Sequence, residues 1–499
     1  MAAYILAIDQ GTTGTTVALV DEQGQLRGKV NREFPQIYPK PGWVEHDPSA
    51  IWESTCQGIG ELLRRELCRP DDIAAIGITN QRETALLWHR QSGAPLHNAI
   101  VWQCRRTTEF CQNLQAQGLE ETVRGKTGLL LDPYFSASKY RWLLQQVPGV
   151  KRLLRAGQVL AGTVDSYLVW KLSAGGSHVT DVSNASRSSL MNIDTGLWDR
   201  ELLELFSVPA EILPEIVRSS GVVGVTCNVP GLPDGIPIAG LAGDQQAALF
   251  GQACFSAGDA KCTFGTGSFI LMNTGKRRLQ SAAGLLTTIA WQLSSERKPT
   301  YALEGGAFIC GAAVQWLRDE LQLINNAADI EELAASVDDS GGVEFVPALT
   351  GLGAPWWEPA ARGAITGLTR GAGGAHIARA TLEAMALQNV DILHAMEQDL
   401  GRRMKPLRVD GGACVNNLLM QIQADLLGRK IIRPALTETT VAGAAYLAGI
   451  GVGLWSGQQE VSDVWQAERE FAVQLAAPAR QARKASWQRA VERVRSAAA

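Results

Sequence analysis

The stretch Ala3-Tyr-Ile-Leu-Ala-Ile-Asp9-Gln-Gly-Thr-Thr-Gly-Thr-Thr16 constrains the fold more than any other part of the chain. An apolar run ends in Asp9, a Gly/Thr turn follows at once, and a second apolar run, Val17 to Asp21, leads into Glu22-Gln23-Gly24. Short apolar runs bounded by Gly and Asp predict two strands joined as a hairpin. Gly11 and Gly14 let backbone N–H groups approach an anion closely, and Thr12 and Thr13 add hydroxyl donors. Asp9, at the strand end, is placed to hold a hydrated Mg²⁺, a cation that takes few protein carboxylates when it also binds phosphate. An ordinary hairpin with a polar turn fits the same residues.

The pattern recurs about half a chain later. Asp259 to Phe264 reads as a strand, Gly265-Thr-Gly-Ser268 as a tight turn, and Phe269 to Asn273 as a second strand. Two such hairpins predict a duplicated α/β fold with one phosphate-facing turn in each half. A third turn, Asp410-Gly-Gly-Ala-Cys-Val-Asn416, also follows a short apolar run. None of the three matches the Gly-x-x-x-x-Gly-Lys-[Ser/Thr] loop or the Gly-x-Gly-x-x-Gly fingerprint. Together they favour a nucleotide site supplied with backbone donors at strand ends.

Between these turns the expected elements alternate. A helix capped by Asp47 or Ser49 is expected through about Leu67, and Ile73 to Ile78 is a buried strand that delivers Thr79-Asn-Gln-Arg-Glu83. Leu160 to Leu172 reads as helical around Asp165, Val179 to Arg187 as extended and polar, and Phe308 to Leu323 as a helix. Ala375 to Met396 is a long amphipathic helix, and the basic tail Ala479 to Arg495 reads as a solvated surface helix.

Composition excludes several classes. With 499 residues, 46% hydrophobic and 19% charged, the chain is long enough for two to four domains, each with its own core. A net charge of −4 and the lack of a dense Lys/Arg tract argue against a nucleic-acid partner. No apolar run approaches a membrane span of about 18 residues. Met1-Ala-Ala-Tyr4 lacks the basic segment of a signal peptide, and the nine Cys are scattered, never as Cys-x-x-Cys. A reducing, cytoplasmic location is expected.

A second constellation joins charge and aromatics. Arg82 and Glu83 leave a buried strand together; adjacent charges at such a place are ordinarily solvated or paired locally, but the pair also suits a polyol, Arg donating to one hydroxyl and Glu accepting from another. Trp102, Tyr134 and Phe269 can wall such a site against the CH₂ groups of a substrate, although aromatics commonly serve the core. Asp244 follows a strand in Gly243-Asp-Gln-Gln-Ala, where a carboxylate can accept the proton of an attacking hydroxyl or simply cap the next helix.

These residues carry a resemblance. Asp9-Gln-Gly-Thr-Thr13, Gly77 to Glu83, Val101-Trp-Gln-Cys-Arg-Arg106, Asp132-Pro-Tyr-Phe-Ser136, Thr180 to Ser186, Gly243 to Gly251, Gly351 to Pro355 and Arg408 to Gly412 resemble the FGGY carbohydrate kinase family, from about Tyr4 to Arg469. Ile78 to Glu83 and Val101 to Arg106 resemble its glycerol kinase branch in particular. The resemblance implies two actin-like (ribonuclease H-like) domains, 1–251 and 252–499, with a nucleotide cleft between them. It implies ATP-dependent phosphorylation of a terminal hydroxyl of glycerol, giving sn-glycerol 3-phosphate and ADP.

Residue by residue, it implies glycerol held by Arg82, Glu83, Tyr134, Asp244 and Gln245 against Trp102 and Phe269. Asp244 is then the general base, and Asp9 positions Mg²⁺. The nucleotide meets Thr12, Thr13, Gly14, Thr266, Gly311, Gln315, Gly411, Gly412 and Asn416. A homo-oligomer, dimer or tetramer, goes with the same resemblance. Two positions depart from it: Thr16 stands where the family commonly keeps an Arg near the phosphates, and Pro230 to Gly235 lacks the basic residues of a loop that binds fructose 1,6-bisphosphate in some bacterial members. A charge-assisted hydrogen bond of about 1.5–3 kcal/mol is thus absent at Thr16. The alternatives are a kinase for another polyol or sugar, and an actin-like ATPase scaffold with no small-molecule acceptor.

Overall fold

A computed structural model describes residues 3–497. Two sheets are built on one plan. In the first, Tyr4–Gln10, Gly14–Asp21 and Leu26–Glu33 form an antiparallel meander; Ile73–Asn80 then lies parallel to Tyr4–Gln10, and Pro237–Gly243 parallel to Ile73–Asn80. In the second, Ala260–Phe264, Ser268–Gly275 and Thr300–Ala307 form the meander, and Leu407–Asp410 and Ile431–Pro434 add in parallel on the same side. Extra antiparallel strands bring the sheets to six and seven strands. The duplication expected from two hairpins therefore extends to the whole strand order.

The central strands are buried on both faces, as parallel strands covered by helices must be. Ile5, Leu6, Ala7 and Ile8 are buried in succession, so the run shows no alternation of apolar and polar residues. The helix Gly374–Leu400, about 40 Å long at 1.5 Å per residue, lies in the core of the second half and ends at Gly401, whose φ of 72° supplies the left-handed cap.

The halves meet through two short helices. Asp244–Gly251 follows the last parallel strand of the first sheet; Thr439–Gly451, although late in the chain, packs on strands of the first sheet. Their backbones nearly touch: a Cβ on Gly443 would stand 1.8 Å from Ala247 O, and one on Gly251 would stand 2.0 Å from Thr439 O. The same core cluster contains Ala7 and Ala75 from the first sheet, Trp291 and Ala302 from the second, and Ala442, Ala445 and Ala448 from this helix.

Local expectations required correction in five places. Leu160 to Leu172 is not one helix: Val159–Gly162 is a strand paired with Leu86–His89, and the helix starts only at Val164. Val179 to Arg187 is extended only to Asp181, whose carboxylate then accepts from the N–H groups of Ser183 and Asn184 and turns Val182–Ala185 into a helical turn. The helix expected over Phe308 to Leu323 is confined to Gly311–Asp319. The apolar run Ile100 to Trp102, which from its residues predicts a further strand, is a strand only to Ile100, which pairs with Glu45. The tail helix Ala477–Ser496 is not merely solvated: Trp487, Ala490, Val491 and Val494 are buried in the second core, and Trp487 Nε1 donates to Asp391 Oδ2 at 2.7 Å.

Candidate active site

Arg82 follows the strand Ile73–Asn80 by two residues, just beyond its C-terminal end. Its side chain is 3% exposed and that of Glu83 1%, so the solvated reading of this pair is overturned. Three carboxylates surround the Arg82 guanidinium. Nη1 and Nη2 donate to Glu304 Oε2 and Oε1 at 2.6 and 3.0 Å; Nε lies 3.1 Å from Asp244 Oδ1 and 3.8 Å from Glu83 Oε1. Arg187 completes the set, with Nε donating to Glu83 Oε1 at 2.6 Å and Nη2 to Glu304 Oε1 at 3.0 Å. Burial of four charges is tolerable only because two cations and two anions neutralise one another with hydrogen-bonding geometry. Burial alone would raise Glu304, but Arg187 and Arg82 hold its carboxyl down to about 2. Glu83 feels the opposite balance: burial raises its carboxyl despite Arg82 and Arg187.

The backbone at Glu83 is strained, with φ of 60° in the left-handed region. Two buried donors hold it there. Lys139 Nζ reaches Glu83 O at 3.3 Å and Phe135 O at 3.2 Å, and also bonds Tyr134 O; Ser136 Oγ donates to Glu83 O at 3.1 Å. Burial lowers the Lys139 ammonium to about 8. The segment that presents Tyr134 is thereby tied to the segment that presents Glu83.

The edge of the site that meets solvent is formed by Asp244, 31% exposed, with Gln245 and the three aromatics half-buried. Trp102 stands edge-on to Tyr134 at 5.7 Å and to Phe269 at 6.4 Å, and Tyr134 OH accepts from Arg82 Nη2 at 3.3 Å. The expected aromatic wall is therefore contiguous, with Phe269 contributed by the second half. Asp244 is not the helix cap that its position also allowed. Gly243 is the N-cap, Asp244 is the first helical residue, and its Oδ1 accepts from Gln245 N at 2.7 Å. Asp244 therefore sits at the helix N-terminus with Arg82 beside it.

The first turn joins this site directly. Trp102 Nε1 donates to Thr12 Oγ1 at 3.0 Å, so a wall residue and a turn residue share a hydrogen bond. Gly11 N donates to Gly14 O at 2.9 Å, closing the turn, and Thr13 is exposed. Asp9 pairs with Thr16 on one side and Thr79 on the other. Burial, with Asp244 and then Glu438 nearby, pushes the Asp9 carboxyl up to about 8. The Thr16 hydroxyl accepts from Asn31 Nδ2 at 2.9 Å.

In the second half, Thr266 and Gly311 come together: Cys310 N donates to Thr266 O at 2.8 Å and Gly311 N to Gly265 O at 2.9 Å. A Cβ on Gly311 would lie 2.7 Å from Gly265 O, so the helix starts against the turn only as glycine. Gln315 and Gly412 are exposed. Gly411 has φ of 85°, and a Cβ there would lie 2.6 Å from Phe264 O, which brings the third turn onto the end of the Ala260–Phe264 strand. Asn416 already uses its side-chain oxygen to cap Asn417–Leu427 through Leu419 N at 2.8 Å.

Lys261 was not singled out from the sequence, yet it links the groups. It is fully buried, its Nζ bonds Gln245 Oε1 and reaches Thr263 Oγ1 at 2.7 Å, and Thr263 Oγ1 donates to Asp410 Oδ1 at 2.5 Å. Burial lowers its ammonium, with Asp410 and Asp244 acting against that shift. Glu304, Arg187 and Lys139 were missed likewise. Glu304 lies in a strand, Lys139 in the helix Ser136–Gln146 and Arg187 in the turn after Val182–Ala185, and in none of these does a single buried charge give a spacing signal.

Among the described residues, no helix is long and apolar enough to cross a membrane. Residues 4–251 match the N-terminal domain, and residues 260–452 the C-terminal domain, of the FGGY family of carbohydrate kinases. The chain is 58% identical over 494 residues to a glycerol kinase of Bdellovibrio bacteriovorus, covering 99% of this chain and 100% of that one. It is 54% identical to a glycerol kinase of Symbiobacterium thermophilum, covering 99% of each. The crystal structure of Plasmodium falciparum glycerol kinase with ADP superposes with a TM-score of 0.93 at 37% identity, covering 99% of this chain and 98% of that one. The chain belongs to the FGGY family of carbohydrate kinases.

Proposed function

We propose that this chain transfers the γ-phosphoryl group of ATP to a terminal hydroxyl of glycerol, giving sn-glycerol 3-phosphate and ADP. The carrying observation is the contact of Arg82 Nε with Asp244 Oδ1 at 3.1 Å, beside the corner of Trp102, Tyr134 and Phe269. Phosphoryl transfer needs little covalent help from the protein, so the work falls to positioning and charge. Asp244 accepts the hydroxyl proton as the nucleophilic oxygen attacks phosphorus. Arg82, Glu83, Tyr134 and Gln245 orient the other hydroxyls, and the aromatic corner takes the carbon chain and excludes water.

Thr12, Thr13, Gly14, Thr266, Gly311, Gln315, Gly411, Gly412 and Asn416 are assigned to the nucleotide. The place of these residues at, or against, the three strand-end turns supports that assignment. Asp9 fits a Mg²⁺ ligand: it stands at the end of the Tyr4–Gln10 strand beside the Gly11–Gly14 turn, and a bound cation would favour its ionised form against the burial and the Asp244 and Glu438 charges that push its carboxyl up. When bound, Mg²⁺ supplies charge neutralisation at the phosphates. A cytoplasmic location and a dimer or tetramer accompany this reading.

A coupled assay of ADP formation with glycerol, erythritol, xylulose and gluconate tests it. Glycerol is expected to give the highest kcat/KM. ATP turnover that is indifferent to the acceptor, or that prefers a sugar, would overturn the proposal.

A further inference from the structure

Glu304 belongs to the second sheet, in the middle of Thr300–Ala307, yet its carboxylate is spent on the first half. Both oxygens grip the Nη edge of Arg82, at 2.6 and 3.0 Å, and Oε1 also accepts from Arg187 at 3.0 Å. Glu304 is only 2% exposed and Arg187 is fully buried, so neither is placed to meet a ligand. The planar guanidinium has two usable edges. Because Glu304 occupies the Nη edge as a fork, Nε is left to face Asp244 at 3.1 Å. Arg187 keeps Glu304 ionised and buried without drawing on Asp244, whose charge stays at the open side of the site.

We propose that Glu304 is a positioning residue: it sets the rotamer of Arg82, and so makes the polyol site depend on a strand of the opposite half. The proposal rests on the reading of Arg82 as a polyol ligand. A plain structural ion pair between the halves would hold them together without discriminating between substrates.

The test compares Glu304→Gln, Arg82→Ala and the double variant by steady-state kinetics, with glycerol and ATP varied separately. Glu304→Gln is expected to raise the KM for glycerol by about tenfold or more while the KM for ATP stays within about twofold. In the Arg82→Ala background the same substitution is expected to add about twofold or less, because the residue it acts through is gone. If Glu304→Gln does not fold, Glu304→Asp, which keeps the charge on a shorter arm, carries the same comparison. A glycerol KM within twofold of the parent, or effects that multiply in the double variant, would overturn the positioning role. An unchanged glycerol KM in Arg82→Ala would instead overturn the polyol-site reading, and the proposal with it.

Discussion

Arg82 and Asp244, 162 positions apart in the chain, form one ion pair at 3.1 Å, with the Arg at the end of one strand of the first sheet and the Asp at the end of its neighbour. The parallel pairing of Ile73–Asn80 with Pro237–Gly243 brings the two ends together. Parallel strands deliver their C-terminal ends to a common edge, which is where such folds place their ligands. The consequence is specific. Arg82→Ala is expected to raise the KM for glycerol far more than that for ATP, as measured by varying each substrate in turn. Equal effects on both would assign Arg82 to general stability.

The helix crossing between the halves has no room for a side chain. Gly443→Ala would put a Cβ 1.8 Å from Ala247 O, a backbone atom that cannot rotate away. Destabilisation of about 1–3 kcal/mol or more is expected, read as a lower urea midpoint. An unchanged midpoint would mean that the helices separate freely.

The tail helix contributes to the second core rather than only to solubility. Trp487→Ala removes a fully buried indole and the 2.7 Å donor to Asp391 Oδ2, leaving Gln488 on Oδ1. A loss of about 3–5 kcal/mol is expected in urea titration. A loss below about 1 kcal/mol would fit the solvated helix inferred from charge alone.

His178 gives stability a pH dependence. Its Nε2 donates to Ala161 O at 2.9 Å, a bond that either protonation state can make, so it is burial that favours the neutral ring. Burial lowers its imidazole to about 4; the Ala161 hydrogen bond opposes the shift and Arg90 adds to it. Between about pH 6.5 and 4 the unfolded chain binds this proton and the folded protein does not. The residue's contribution is therefore lost as the pH drops through that window, by at most about 1.4 kcal/mol per unit. Urea titrations at pH 7 and 5 should show a smaller drop for His178→Gln than for the parent; equal drops would contradict this.

The sequence was informative where chemistry and local geometry coincide. Asp9, Arg82, Glu83 and Asp244 stand at strand ends, and strand ends announce themselves by an apolar run meeting Gly, Thr or Asp. The doubled strand order was visible only through its two hairpins, because the later parallel strands enter from far along the chain. Glu304, Arg187 and Lys261 were invisible for a physical reason: their value lies in partners 16 to 222 positions distant, which no local pattern encodes. The tail misled because Trp487, Ala490, Val491 and Val494 are few among many charges, and only packing shows that they form a face.

Asp244→Asn tests the central claim most directly, with glycerol binding followed by calorimetry and turnover by coupled ADP release. Loss of the proton acceptor at this position is expected to lower kcat by about 10²–10⁴-fold while glycerol still binds. A near-parental kcat would contradict the assignment of Asp244 as the base and, with it, the account of the site.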